Sequence, residues 1–206
     1  MNILIIKPSS LGDIVHGLQF AESLRSSIDN ARISWVSREL FAPLVEACDT
    51  VNHTYIFQRK APLSTFVKLI REIRQTSFDW ILDLQGLLRS GIICKCSRGK
   101  NKAGRSDARE FASLFYPINV PLPSTKTDPH ALEILMEFKR LFGQKPTSLL
   151  PPIKFENIII SKTTPIKITI IDLAFCKFSW ALFDGFICVK ISLLAKSSGQ
   201  CFFHSK

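Results

Sequence analysis

The sequence predicts an α/β fold built on a parallel, doubly wound sheet over its first three quarters. Three observations carry that expectation. Short apolar runs recur at 2–6, 33–36, 55–57 and 80–84, each too short for a helix. Between them lie stretches with apolar residues at helical spacing. The turns that leave the strands are polar, as they are where a parallel sheet opens at its carboxyl rim.

The elements follow in order. Asn2-Ile3-Leu4-Ile5-Ile6 reads as a strand buried on both faces, and Pro8, which cannot donate to a ladder, stops it. Ser9 and Ser10 can accept from free amides at a helix start, Gly12 permits close backbone approach, and Ile14, Leu18, Ala21 and Leu24 mark the buried stripe of a first helix reaching Arg25. After the strand at 33–36, residues 40–48 read as a helix with Leu40, Leu44, Val45 and Ala47 apolar. A third strand at 55–57 precedes an amphipathic helix at 64–75, with Phe66, Leu69, Ile70 and Ile73 on one side. The fourth strand is 80–84. Residues 117–129 read as a connecting loop, and Asp128-Pro129 as cap and first turn of a helix whose stripe is Leu132, Leu135, Met136 and Phe142, ended by Gly143. Pro146, Pro151 and Pro152 make 144–156 a linker. The expected division is a domain at 1–143, that linker, and an atypical hydrophobic tail at 157–206.

The turn after the first strand presents a carboxylate, Asp13, and one helical turn later an imidazole, His16. A carboxylate in the first turn of a helix is held as the anion by unpaired amides and the helix dipole, which suits a base. The same residue type is also a favoured helix cap, and spacing alone does not choose between base and cap. His16 could line the same mouth or be structural. No G-x-G-x-x-G or G-x-x-x-x-G-K-S/T pattern occurs in this turn, which argues against a dinucleotide or P-loop site there. Asp83-Leu84-Gln85-Gly86 falls at a strand's carboxyl end on the same rim, so the two turns are expected to share one cleft. Between Arg89 and Arg109 basic residues are dense, and 98–102 reads as a solvated face.

These segments carry a resemblance. Asn2-Ile-Leu-Ile-Ile-Lys7 with Ser9-Ser-Leu-Gly-Asp-Ile-Val-His16, then Asp83-Leu-Gln-Gly-Leu-Leu-Arg-Ser90, then Ala108-Arg-Glu-Phe-Ala-Ser-Leu-Phe-Tyr116 resemble the lipopolysaccharide heptosyltransferases, with a weaker match at His130-Ala131 and Glu133. The resemblance implies a Rossmann-like sheet forming the amino-terminal, acceptor-binding half of a GT-B glycosyltransferase, with the second domain missing or incomplete here. It implies that Asp13 is the base for an acceptor hydroxyl in an inverting transfer of heptose from ADP-heptose to the lipopolysaccharide inner core. Ser10, Gly12, His16 and Gln85 are then expected to line the acceptor site. Arg89 and Arg109 would grip the acceptor's carboxylate or phosphate groups, a task that suits the guanidinium fork. Arg59 and Lys60 recur as basic positions in the family. The loop 104–109 is short for the family. The donor ADP-heptose is a substrate, and no cofactor or metal is implied.

Two hundred and six residues with a formal charge of +10 fit an anionic partner: a phosphorylated glycolipid, a membrane surface or nucleic acid. Nucleic acid is not expected, because the aromatic residues fall inside strand and helix core patterns; the alternative function is still a non-catalytic basic α/β module on nucleic acid or an anionic membrane. The six cysteines lack the paired spacing of a zinc site. No signal peptide is read at the start, so the expected address is cytoplasmic, with peripheral contact at the inner face of the inner membrane allowed.

Beyond residue 157 the family's second domain should open with a strand, an H-P-G-A-type turn and a K-x-W-P stretch, none of which occurs. The segments 158–160, 166–171 and 173–194 are instead apolar, and Asp172, Lys177, Asp184 and Lys190 interrupt the run. At about +2.5 to +3.5 kcal/mol each near a bilayer centre, these charges disfavour a membrane span. The tail is read as out of frame or unrelated to the parent gene. On this reading, donor-binding parts are lacking and the chain turns over poorly or not at all.

Overall fold

The structure, a computed structural model, describes residues 1–124, 129–146 and 153–154. Six strands form one parallel sheet in the order β3-β2-β1-β4-β5-β6. They are β1 (Asn2–Ile6), β2 (Arg32–Arg38), β3 (Val51–Phe57), β4 (Phe78–Asp83), β5 (Gly99–Arg105) and β6 (Ile118–Val120). The helices are α1 (Leu11–Arg25), α2 (Ala42–Glu46), α3 (Leu63–Ile73), α4 (Leu88–Cys96) and α5 (Ala131–Met136), with 3₁₀ turns at Glu39–Phe41, Ala112–Phe115 and Glu137–Phe142.

The period-two alternation of a strand explains why β1 is apolar throughout. Ile3 and Ile5 point into a core shared with Ile14, Leu18 and Leu24 of α1 and Leu135 of α5, whereas Leu4 and Ile6 point into a second core with Leu69 and Ile73 of α3 and Ile93 of α4. Strand β1 pairs with β2 on one side and β4 on the other, so it is the centre of the sheet. The chain leaves β1 towards one face and β4 towards the other. Their carboxyl ends therefore form a topological switch point, the place where open α/β sheets bind ligands.

Several expectations are corrected. Helix α4 and strand β5 occupy the stretch read only as basic, and within 98–102, which is largely strand, Arg98 and Lys100 are exposed while Asn101 and Lys102 are half-buried. Its polar side chains have backbone partners: Lys102 Nζ donates to the Lys95 and Ser97 carbonyls at the end of α4 (2.6 and 2.8 Å), and Asn101 donates to the Asp79 carbonyl (3.2 Å). Gly104 and Arg105 end β5, so the loop expected to begin at 104 starts after them. Residues 117–129 are not wholly loop, because β6 pairs there with β5. The helix expected at 40–48 is a 3₁₀ turn and a five-residue α2, and Leu40 is exposed. Proline at the start of α2 and the absence of a continuous apolar stripe keep it short. Helix α5 is capped by His130, whose Nδ1 accepts from the Leu132 amide at 3.3 Å. It gives way to 3₁₀ turns before Gly143, where φ is +70°. Asp128, most of the expected linker and the tail at 157–206 lie outside the described residues.

Candidate functional site at the carboxyl ends of β1 and β4

The turns after β1 and β4 are joined directly. Lys7 Nζ donates to the Leu84 carbonyl at 3.2 Å, and the Ser9 amide donates to Gln85 Oε1 at 3.4 Å. The expectation that both turns share one rim is met.

Asp13 is the third residue of α1. Its Oδ2 accepts from the Ser10 amide at 3.0 Å and from the Ser10 hydroxyl at 3.1 Å, closing half of a capping box. Its Oδ1 lies 3.7 Å from Lys7 Nζ, an ion pair too long for a hydrogen bond, and the side chain remains 37% exposed. Cap and partly exposed carboxylate therefore coexist: one oxygen serves the helix and the other lies beside the Lys7 ammonium. Ser10 is exposed and Gly12 half-buried at the same helix start.

His16 follows one turn later. Its ring meets that of His130 edge to face, with centroids 5.0 Å apart, and its buried Nδ1 has no hydrogen-bond partner. Burial, and next the neighbouring His130, push the His16 imidazole below its ordinary value and favour the neutral ring. The pair brings α5 to the mouth beside Asp13.

Asp83, at the end of β4, is fully buried. It accepts from the Gln85 amide (3.0 Å), the Gly86 amide (3.1 Å) and the Ser90 hydroxyl (2.9 Å). Burial outweighs these bonds and pushes the carboxyl up to about 6. Gly86 makes the return turn with φ at +68°, a conformation that favours glycine.

The expected arginines lie further out. Arg59, Lys60, Arg89 and Arg109 are all exposed. Arg89 Nη1 donates to the Arg59 carbonyl at 2.8 Å, which joins the segment after β3 to α4, and the Arg109 amide donates to the Gly86 carbonyl at 2.9 Å. The cations coupled electrostatically to Asp13 are others, Lys7 and Arg105. Arg105 grips Asp107 with two parallel bonds, 2.8 and 2.6 Å, and this pairing raises the guanidinium and lowers the Asp107 carboxyl. Sequence reasoning singled out neither Lys7 nor Asp83 nor Arg105 as a site residue. A signal existed for the first two: each is a charge set directly at the carboxyl end of an apolar strand. Among the described residues no cluster of His, Cys, Asp and Glu could hold a metal ion.

Chemically, the site offers a carboxylate with one free oxygen, a buried ammonium behind it and a rim of exposed cations. That arrangement suits removal of a proton from an alcohol on an anionic molecule.

Comparison with known proteins agrees. Residues 66–147 match glycosyltransferase family 9 (heptosyltransferase). Over 128 residues the chain is 34% identical to lipopolysaccharide heptosyltransferase 1 of Escherichia coli K12, covering 56% of this chain and 40% of that protein. The Pseudomonas aeruginosa lipopolysaccharide heptosyltransferase 1 is 29% identical over 159 residues, covering 70% of this chain and 42% of its own length. The chain thus spans less than half the length of these relatives. Among solved structures, E. coli heptosyltransferase WaaC with ADP-2-deoxy-2-fluoro heptose superposes with a TM-score of 0.63 at 26% identity, covering 72% of this chain and 50% of that one. A family 9 glycosyl transferase from Veillonella parvula shares the fold at 19% identity and a TM-score of 0.62, covering 76% and 44%. With the sheet order, the rim chemistry and these similarities together, the amino-terminal region of this chain is similar to the lipopolysaccharide heptosyltransferases, and the match to glycosyltransferase family 9 lies within it.

Proposed function

We propose that residues 1–143 are the acceptor-binding half of an inverting glycosyltransferase that moves heptose from ADP-heptose to the lipopolysaccharide inner core. The observation that carries this reading is Asp13: one oxygen bound to the start of its helix, the other beside a buried lysine at the rim.

In the proposed reaction the acceptor hydroxyl gives its proton to Asp13 Oδ1. The alcohol oxygen bonds to the anomeric carbon of the heptose, and the carbon–oxygen bond to ADP breaks with its electron pair leaving on the phosphate. Attack opposite the leaving group inverts the configuration, by analogy with single-displacement glycosidases. Arg59, Lys60, Arg89 and Arg109 hold carboxylate or phosphate groups of the acceptor, while Ser10, Gly12, His16 and Gln85 line the mouth. In the proposed division, residues 144–156 link this half to residues 157–206. No helix among the described residues is long and apolar enough to cross a membrane. The proposed address is the cytoplasm, with peripheral contact at the inner membrane.

The test incubates the purified chain with ADP-heptose and an inner-core acceptor, reading ADP release and the acceptor's mass. Product from the wild type that falls by roughly 10²–10⁴ in Asp13→Ala supports the reading. Undiminished product in Asp13→Ala overturns it.

A further inference from the structure

Lys7 is the least expected residue at the rim. A lysine is almost never fully buried without a partner, yet Lys7 is only 2% exposed. The fold places it there deliberately. Its carbonyl accepts from Trp35 Nε1 at 3.1 Å, which fixes the backbone where β1 ends. Its stem lies beneath α1 beside Gly17, where a Cβ would touch Lys7 Cγ at an ordinary 3.7 Å but crowd Trp35 Cη2 at 2.8 Å, so the glycine makes room for the indole that holds the Lys7 carbonyl. The ammonium emerges between the Leu84 carbonyl at 3.2 Å and Asp13 Oδ1 at 3.7 Å.

We propose that Lys7 is a positioning residue for Asp13: anchored on the Leu84 carbonyl, its ammonium draws Oδ1 towards the rim while Ser10 occupies Oδ2, so the carboxylate is held in one orientation with one oxygen free. This rests on the reading of Asp13 as the base.

The charges facing Lys7 decide between this role and simple capping of a carbonyl. One neutral carbonyl does not offset the desolvation of an ammonium, so counter-charge is required. It comes from Asp13 first and Asp83 second, with Arg105 opposing. Burial pulls the Lys7 ammonium below its ordinary value and Asp13 is the largest influence holding it up. Among the described residues Asp13 has two close partners, Ser10 hydrogen-bonded to one oxygen and the Lys7 ammonium paired with the other. Removing Lys7 leaves the Ser10 bonds as a pivot, and the free oxygen loses its fixed direction.

The test is a pH titration of ¹³Cε-labelled lysines by NMR on the full chain, with Lys7 assigned from the signal missing in Lys7→Arg. The Lys7 midpoint is expected to shift down in Asp13→Asn, and likewise in Asp13→Ala. It should not move in Asp79→Asn, which removes the exposed partner of Lys100. Product mass from ADP-heptose and acceptor is read on the same samples and on Lys7→Met, in which product is expected to fall. A Lys7 midpoint that stays put in both Asp13 variants, or undiminished product in Lys7→Met, overturns the positioning role while leaving Asp13 as the base. Undiminished product in Asp13→Asn overturns the base reading itself, whatever Lys7 does.

Discussion

The Ser90 hydroxyl donates to the fully buried carboxylate of Asp83 across 2.9 Å, and the same oxygen accepts from the Leu87 amide at 3.0 Å. One side chain thus fastens the first turn of α4 to the end of β4 and shapes the Gln85–Gly86 turn at the mouth. Ser90→Ala leaves a buried carboxylate oxygen short of a donor and an amide short of an acceptor, at a cost of about 1–3 kcal/mol. Urea unfolding of the two proteins measures it, with a lower midpoint and unchanged slope expected for the variant.

Asp83 also sets a pH dependence. Its folded value of about 6 lies above its ordinary 3.8, so between those values the native state binds more protons than the unfolded chain. Stability from this group is complete below about 4 and is lost as pH rises through about 6, by about 3 kcal/mol in all. Asp83→Asn cannot titrate. The difference in unfolding free energy, wild type minus variant, is therefore expected to fall between pH 4 and 6 and to be flat above pH 7.

The close approach of β5 to Tyr116 gives a test of the sheet. A Cβ at Gly104 would fall 2.1 Å from Tyr116 Cζ, inside a ring that is itself buried. Gly104→Ala is expected to destabilise by roughly 1–3 kcal/mol or more, because neither strand nor ring has room to give. Thermal unfolding followed by circular dichroism checks this, and Gly143→Ala, with nothing within 4 Å but a positive φ, gives the comparison for backbone strain alone.

The elements that could be read from sequence are those whose physics is local. Strand β1 is buried on both faces and so is apolar at every position, and α1 and α3 carry stripes at helical spacing. Strand β5 could not be read this way. Gly-Lys-Asn-Lys-Ala-Gly-Arg has two glycines that make room for Ile81 and Tyr116, and polar side chains whose partners, Asp79 on β4 and the carbonyls at the end of α4, belong to other elements. The site divides similarly. Asp13 could be picked out because its turn is contiguous, and Lys7 and Asp83 each carried a local signal; that Lys7, Asp83 and Arg105 meet depends on the sheet order, and the His16–His130 contact on the packing of α5 against α1.

The exposed arginines carry a prediction about the partner. If Arg89 and Arg109 hold the acceptor as proposed, Arg89→Ala and Arg109→Ala each remove one charge-assisted grip on a carboxylate or phosphate, worth about 1.5–3 kcal/mol, and affinity for an inner-core acceptor falls roughly 10- to 100-fold. Titration calorimetry in low and high salt reads the loss. Arg98→Ala, beyond the end of α4, should leave affinity unchanged.

The central claim is that the open oxygen of Asp13 meets an alcohol. A crystal structure of the chain soaked with an inner-core acceptor measures this without requiring turnover. A hydroxyl of the acceptor sugar is expected at about 2.5–3.0 Å from Asp13 Oδ1, with Ser10 still on Oδ2. An acceptor bound elsewhere on the sheet, or one seated at the rim with no hydroxyl in contact with Asp13, would contradict it.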